Sequence, residues 1–350
     1  MEFLVVSPQG LGDSLEATPI VAALKRAIPD ASIDVVVTRP GPRLLFSGLP
    51  NLVRNVIYLP YWEKGAVAFT LSLIAHCRSR HYDASFLSYP AARGEYHFAT
   101  RAFGARRRYA HRYDRITITN LLWLHTTLVE VGQYHNILRN LDLVAAAGFP
   151  VDRSTTYVVP PSWRIDGPQR RCIAIHPGSI AHGGLEMKRW PEDNFRELAQ
   201  RLLKDGYEVT LISGPAERDI VSRISAQVPE ARVFEGALDE VARFLSTCSA
   251  TVSNDSGIAH LAAAAGAAVL ALHGPTPVEF GPYGKRAVAF RPTLFPPCFD
   301  VRRLNVGCAL DPNFACLKRD LPVDLVHRRL LDLLQHDAKP IRPNSVMETS

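Results

Sequence analysis

No stretch of this chain approaches the roughly 18 consecutive apolar residues that a membrane-spanning helix needs, although 47% of its 350 residues are hydrophobic. The opening MEFLVVSP reads as a strand and not as a basic region followed by an apolar one, so no secretory signal is expected and the chain is placed in the cytoplasm. C-x-x-C spacing is missing from its six cysteines, Cys77, Cys172, Cys248, Cys298, Cys308 and Cys316. The last three fall loosely together, but without a fourth ligand they read as reduced thiols. No Asp-x-Asp pair stands in a loop, and a bound divalent ion would want such clustered carboxylates, so no metal site is expected. The net charge is +6, with basic clusters at residues 101–115, 302–303 and 327–329, yet no nucleic-acid recognition motif accompanies them. The basic residues are not interleaved as a stacking platform. A phosphorylated lipid or an anionic membrane surface accounts for them as well as a solvated face does, and no nucleic-acid partner is expected.

What the chain does have is alternation. Apolar runs of strand length fall at residues 3–7, 33–38, 56–59, 84–88 and 108–111, with helical stretches at 18–27, 42–47, 66–78, 94–103 and 136–147. Pro19 leaves the first helix open: either a turn precedes a helix capped by Thr18, or one helix is bent there. Residues 151–171 are rich in proline and polar residues and read as an interdomain segment. The alternation then resumes from Cys172 to Phe290. Such a pattern predicts an α/β fold of parallel sheets with helices on both faces. Length allows two Rossmann-like domains, 1–150 and 172–320, with motifs at strand ends facing a cleft. A late helix at 321–336 and a polar, disordered tail at 337–350 complete the chain.

Two stretches carry chemistry. NDSGIAHLAAAAGAAVLALHGPTPVEFGPYG, from Asn254 to Gly284, reads as strand end, tight turn, helix and next strand. The helix N-terminus offers unpaired amides and a positive dipole end, which suits an anion such as a diphosphate. Gly257 permits close backbone approach, Ser256 can cap, and His260 lies in the first turn. An ordinary capped helix in an α/β domain fits the same letters. The second stretch, CIAIHPGSIAHGGLEMKRWPEDNFRELAQRLLKDG (172–206), is strand, glycine-bearing loop and helix. Pro191 suits the first turn, Glu192 and Asp193 its positive end, and Phe195, Leu198, Ala199, Leu202 and Leu203 form the apolar stripe. Lys188 and Arg189 precede this helix, and Glu217 follows the strand at 209–213 just past another turn.

HPGS…KRWP, GP-x-E, NDSG-x-x-H-L-A-A-A…GPT…GPYG and the N-terminal strand followed by G-x-GD together resemble glycosyltransferase family 9, the ADP-heptose:lipopolysaccharide heptosyltransferases and their relatives. The resemblance covers about residues 3–335 and falls on four separated motifs in family order. It implies GT-B architecture, with the 321–336 helix packing back on the first domain. It implies a nucleotide-sugar donor, ADP-heptose, a lipid-linked or lipopolysaccharide acceptor, no cofactor, and peripheral contact with the inner membrane. Onto the matching motifs it carries Asp13, after Gly10 and Gly12, as general base. Lys188 becomes the cation for the leaving diphosphate, with Arg189 turned away. Gly178 and Ser179 contact phosphate, Glu217 accepts from the ribose hydroxyls, Asp255 reaches the sugar, Ser256 and Gly257 amides hold phosphate, and His260 bonds a phosphate oxygen. Bland readings stand beside these: Asp13 and Glu217 as helix caps, Lys188 as a solvated lysine, His260 as a core histidine. The chain departs from the family pattern where some members have a threonine pair at HPGS and a shorter loop before Lys188.

Inverting, metal-independent heptosyl transfer is the leading expectation. The same scaffold serves other nucleotide sugars in capsule or exopolysaccharide assembly, because such motifs read phosphate and ribose better than sugar identity. A nucleotide-sugar epimerase needs no acceptor loop, whereas G-x-GD argues for one. A non-catalytic binder needs no base, and Asp13 and Lys188 occur together. The acceptor is expected near residues 89–115 of the first domain.

Overall fold

A computed structural model describes residues 1–60, 65, 71–73, 76, 81–113, 121–165, 170–179, 188–292, 294, 296–299, 301 and 315–335. Residues 1–161 form one compact unit, and residues 162–299 with the C-terminal helices form a second. The first holds β1 (Glu2–Ser7), α1 (Leu11–Ala27), β2 (Ser32–Val37), α2 (Pro40–Ser47), β3 (Asn55–Tyr58), β4 (Ala84–Leu87), α3 (Gly94–Ala102), β5 (Arg107–Arg112), a 3-10 turn at Leu122–Leu124, β6 (Thr127–Glu130) and α4 (Asn136–Ala146). All its strands are parallel, in the order β3-β2-β1-β4-β5-β6. The second unit holds β7 (Arg170–His176), α5 (Glu192–Lys204), β8 (Glu208–Ser213), α6 (Arg218–Gln227), β9 (Arg232–Glu235), α7 (Leu238–Ser246), β10 (Cys248–Asn254), α8 (Gly257–Ala265), β11 (Ala268–Leu272), β12 (Ala287–Phe290), α9 (Ala315–Lys318) and α10 (Val323–Gln335). Its sheet runs β12-β11-β10-β7-β8-β9, again parallel, which repeats the first unit's order.

Each unit is therefore a doubly wound sheet whose strand order reverses beside its own first strand, between β1 and β4 and between β7 and β10. In such sheets ligands bind where the order reverses, outside the carboxyl ends of the strands. The near-continuous apolar runs fit this burial: Phe3, Leu4 and Val5 in β1 and Ile173, Ala174 and Ile175 in β7 are fully buried. Two Rossmann-like units are the components of the GT-B class expected from the resemblance.

α1 is a single helix that includes Pro19. Proline removes the amide that would bond the carbonyl of Leu15, and the Thr18 hydroxyl donates to that carbonyl instead, at 2.7 Å. The same hydroxyl accepts from the Val158 amide at 2.9 Å. Thr18 is thus mid-helix, not a cap. β6, absent from the sequence expectations, is a four-residue edge strand with no fully buried residue, so it lacks the apolar run that betrays a central strand.

The last helix packs within the second unit. Val323, Val326, Leu330 and Leu333 of α10 enter that unit's core, against α5, β10 and β11. Its apolar stripe is matched by the stripe of α5, and Trp190 Nε1 ties the start of this segment down by donating to the Leu321 carbonyl at 2.7 Å. The segment 151–171 is divided as well. Val158 bonds α1 and Pro160 packs on Gly48 within the first unit, while Arg164 donates to the Ala264 carbonyl and Ile165 to Ser246 within the second. The 337–350 tail, most of the 66–78 helix and the loop before Lys188 lie outside the described residues.

Candidate active site

The carboxyl end of β10 organises the second unit's site. Asn254 is fully buried and uses both ends of its amide: Nδ2 donates to the Pro177 carbonyl after β7, and Oδ1 accepts from the Trp190 amide before α5, each at 2.8 Å. Trp190 is itself fixed by Leu321 and by edge-on contact with Phe195. These bonds set where the preceding Lys188 and Arg189 stand. Lys188 Nζ donates to Asp255 Oδ2 at 2.8 Å and lies 4.7 Å from the centre of the Phe299 ring. The two charged side chains are only 13% and 10% exposed. Burial alone would raise the Asp255 carboxyl, but the Lys188 charge and the hydrogen bond it donates outweigh burial and hold the acid far below the usual carboxylate range. Lys188 is therefore a held, partly desolvated cation and not a solvated loop lysine.

Arg189 was expected to turn away, and the structure corrects this. Its Nη2 donates to the Ser179 carbonyl at 2.8 Å, and its charge acts on both His176 and Glu217. Anchoring by Trp190 points consecutive side chains to two sides of one loop, so a second cation enters the site. Ser179 is nearly buried and its hydroxyl has no hydrogen-bond partner, as expected of a donor that waits for a ligand. Glu217 begins α6 but its side chain does not cap that helix. It folds back over Gly178 and Gly214, where an added Cβ on Gly178 would overlap it and one on Gly214 would lie 2.7 Å from Oε2. Burial raises its carboxyl pKa, and the Arg189 charge opposes the rise.

Ser256 stands at the N-cap of α8 but makes no side-chain cap bond, contrary to the expected capping role. Its hydroxyl pairs instead with Ser253 Oγ at 2.9 Å and with His176 Nδ1 at 3.3 Å. His176 is held neutral, its pKa pushed down to about 3 by burial and by the Arg189 charge. With the serine turned inward, the first-turn amides of α8, beginning at Gly257, keep the unsatisfied donors of a helix start. His260 sits in this first turn and is almost fully buried. His273, just past β11, was not singled out from the sequence. It is fully buried, its two ring nitrogens lack hydrogen-bond partners, and burial keeps it neutral beside Asp255. Histidines that end apolar strands read as core, which is why His176 and His273 escaped notice.

In the first unit, Asp13 lies in the first turn of α1, beyond the carboxyl end of β1, and is half-buried next to the buried Gly12. Its Oδ2 accepts from the Gly10 amide at 3.2 Å, a cap contact. One turn further, Glu16 is buried against Asn136, which donates to Oε2 at 2.9 Å. Cys172, Cys248, Cys298 and Cys316 are free thiols; Cys77 and Cys308 lie outside the described residues.

The site thus joins two cations, an acid held ionised, a glycine-lined carboxylate and a helix N-terminus, a set suited to a diphosphate and a vicinal diol. The model of glycosyltransferase family 9 (heptosyltransferase) matches residues 98–305. Lipopolysaccharide heptosyltransferase 2 of Salmonella typhimurium is 25% identical over 303 residues, 81% of this chain and 85% of that protein. Among solved structures, E. coli heptosyltransferase WaaC with ADP-2-deoxy-2-fluoro heptose superposes with a TM-score of 0.70 at 20% identity, covering 95% of this chain and 99% of that one. A glycosyltransferase family 9 protein from Veillonella parvula gives 0.76 at 17% identity, covering 96% and 98%.

Proposed function

The chain belongs to glycosyltransferase family 9, and from that membership we propose that it moves a heptose from ADP-heptose to a lipopolysaccharide core acceptor with inversion. The observation that carries the donor half is the convergence of Lys188, Arg189 and the start of α8 on the carboxyl ends of β7 and β10. A diphosphate bound there meets fixed donors in a partly dry site, where they stabilise the charge that develops on the leaving group. Glu217, lying flat over Gly178, accepts the two ribose hydroxyls. Lys188 turns from Asp255 to phosphate, and the freed Asp255 carboxylate accepts a sugar hydroxyl. Ser179 and His260 complete the phosphate contacts.

For transfer, Asp13 takes the proton of the acceptor hydroxyl. The acceptor oxygen bonds to the anomeric carbon as that carbon's bond to the diphosphate oxygen breaks, and ADP leaves. No described helix is long and apolar enough to cross a membrane. In this reading the enzyme works at the cytoplasmic face of the inner membrane, where a lipid-linked acceptor is presented. Titration calorimetry with ADP tests the donor site. Lys188→Ala should weaken binding or slow transfer by about 2–4 kcal/mol, as for a lost charge-assisted contact. Unchanged affinity together with unchanged turnover would remove Lys188 from the site.

A further inference from the structure

His273 is a buried titratable group to which the transfer steps above give no task. β11 and its neighbours place it. The Asp255 amide donates to the Leu272 carbonyl at 3.1 Å, and the His273 amide donates to the Phe290 carbonyl at 2.8 Å. The backbone thus fixes an imidazole beside the carboxylate that Lys188 holds. The ring has no exposed surface, and neither nitrogen has a hydrogen-bond partner. Gly281 closes over one side of it, since a Cβ there would stand 3.2 Å from Nε2. A histidine that only filled space would carry the desolvation cost of two polar atoms, which a phenylalanine avoids. Buried polar atoms without partners call for a state in which they have them.

Charge supplies that state. Among the described residues, three charged side chains act on the ring: Asp255 after β10 favours its protonation, while Lys188 before α5 and Arg291 after β12 oppose it. The Thr276 backbone also favours the charged ring, without closing a hydrogen bond. Burial, with Lys188 and Arg291, keeps the imidazole neutral while Lys188 Nζ stands 2.8 Å from Asp255 Oδ2. Binding of ADP as proposed above breaks that contact, because Lys188 turns to the diphosphate. Asp255, whose side chain is 10% exposed, is then a buried charge that has lost its partner, a costly arrangement.

We propose that His273 takes up a proton as ADP binds and replaces Lys188 as the counter-charge of Asp255. The proton comes from solvent, and the only bond formed is N–H. His273 is a positioning residue: it acts through Asp255, keeping the carboxylate ionised and free to accept a sugar hydroxyl. A proton on Asp255 itself would turn one acceptor oxygen into a donor. Imidazole takes the proton first because its ordinary pKa lies well above that of a carboxylate. The inference rests on the donor reading, which supplies the movement of Lys188.

Titration calorimetry with ADP in buffers of different ionisation enthalpy counts the protons. At pH 7 the parent chain should take up about one proton more per ADP than His273→Phe or His273→Gln. Such uptake weakens binding as pH rises. The parent should therefore bind ADP about tenfold more tightly than the variants at pH 6.5 and equally by pH 9. A purely structural role would lower affinity alike at both. Ring-nitrogen shifts of labelled histidines test the parent without either variant, and should show one more imidazolium with ADP than without it. Lys188→Ala should show that imidazolium before ADP is added. ADP bound with the same uptake in parent and variants, or with no new imidazolium, would overturn the role of His273 and leave the donor site standing. No binding of ADP by the parent would overturn both.

Discussion

Asp13 accepts the Gly10 amide in the first turn of α1, and its proposed role is to take the acceptor proton. Asn in its place keeps the shape and the acceptor oxygen but cannot take a proton. General-base catalysis contributes about 10²–10⁴-fold, so Asp13→Asn should raise the barrier by roughly 3–5 kcal/mol while ADP affinity changes little. A folded variant with near-normal turnover would leave Asp13 a cap and nothing more. Gly178→Ala is the matching probe of the second unit. The new methyl overlaps the Glu217 side chain and must displace it, so KM for the nucleotide sugar should rise at least tenfold while the fold is kept. An unchanged KM would mean that Glu217 does not touch the donor. Residue identities were legible where chemistry is consecutive in the chain, as in Asp255-Ser256-Gly257. Directions were not. Arg189 enters the site because the adjacent Trp190 is anchored to Asn254 and Leu321 far along the chain, and Ser256 leaves its cap because His176 and Ser253 offer partners 80 and 3 residues away. No local spacing encodes such bonds.

At the scale of elements, the two central strand runs and the helix Gly257–Ala265 were readable because buried parallel strands are continuous apolar runs and helix starts carry their own punctuation. The element that resisted was α1, where Pro19 argues for a break and the structure shows none. The resolution lies in one hydroxyl that fills the carbonyl left open by proline and also holds Val158. Thr18→Val keeps the shape, removes both bonds, and leaves a buried carbonyl and an amide unpaired. It should cost about 2–4 kcal/mol in unfolding free energy, read from the urea midpoint at constant slope. A loss under half a kcal/mol would show that water or a shifted backbone replaces the hydroxyl. α10 was readable as a helix, but its packing in the second unit's core was not, since an apolar stripe states that a helix is covered and not by what.

At the scale of the whole molecule, buried neutral histidines set the acid limit of stability. Burial pushes His97 and His111 down to about 4, and His125 and His176 down to about 3. For each, the folded pKa lies below the unfolded value near 6.5. As pH falls below 6.5 the unfolded chain takes up protons that the folded chain refuses, so stability decreases with falling pH, and the loss accumulates until the folded pKa is reached. Unfolding free energy should therefore drop steadily between pH 6.5 and about 4, by a few kcal/mol for each such histidine. The Asp255 carboxylate does not add to this window, because its depressed pKa preserves its contribution until strongly acid solution. A flat profile from pH 6.5 to 4.5 in urea titrations would show that these rings are hydrated.

The duplicated sheet order was foreshadowed by the alternation of strands and helices, and the proposed donor site by motifs at the strand ends, but the identity of the sugar resides in side-chain positions that no motif spells out. The most direct measurement is the mass of the product formed when the purified chain is given a panel of nucleotide sugars and truncated lipopolysaccharide core acceptors, with and without Lys188→Ala. The expected result is a core acceptor heavier by one heptosyl residue, formed from ADP-heptose and from no other donor, and lost or strongly slowed in the variant. Transfer from a different nucleotide sugar, or an isomerised donor with no change in any acceptor, would contradict it.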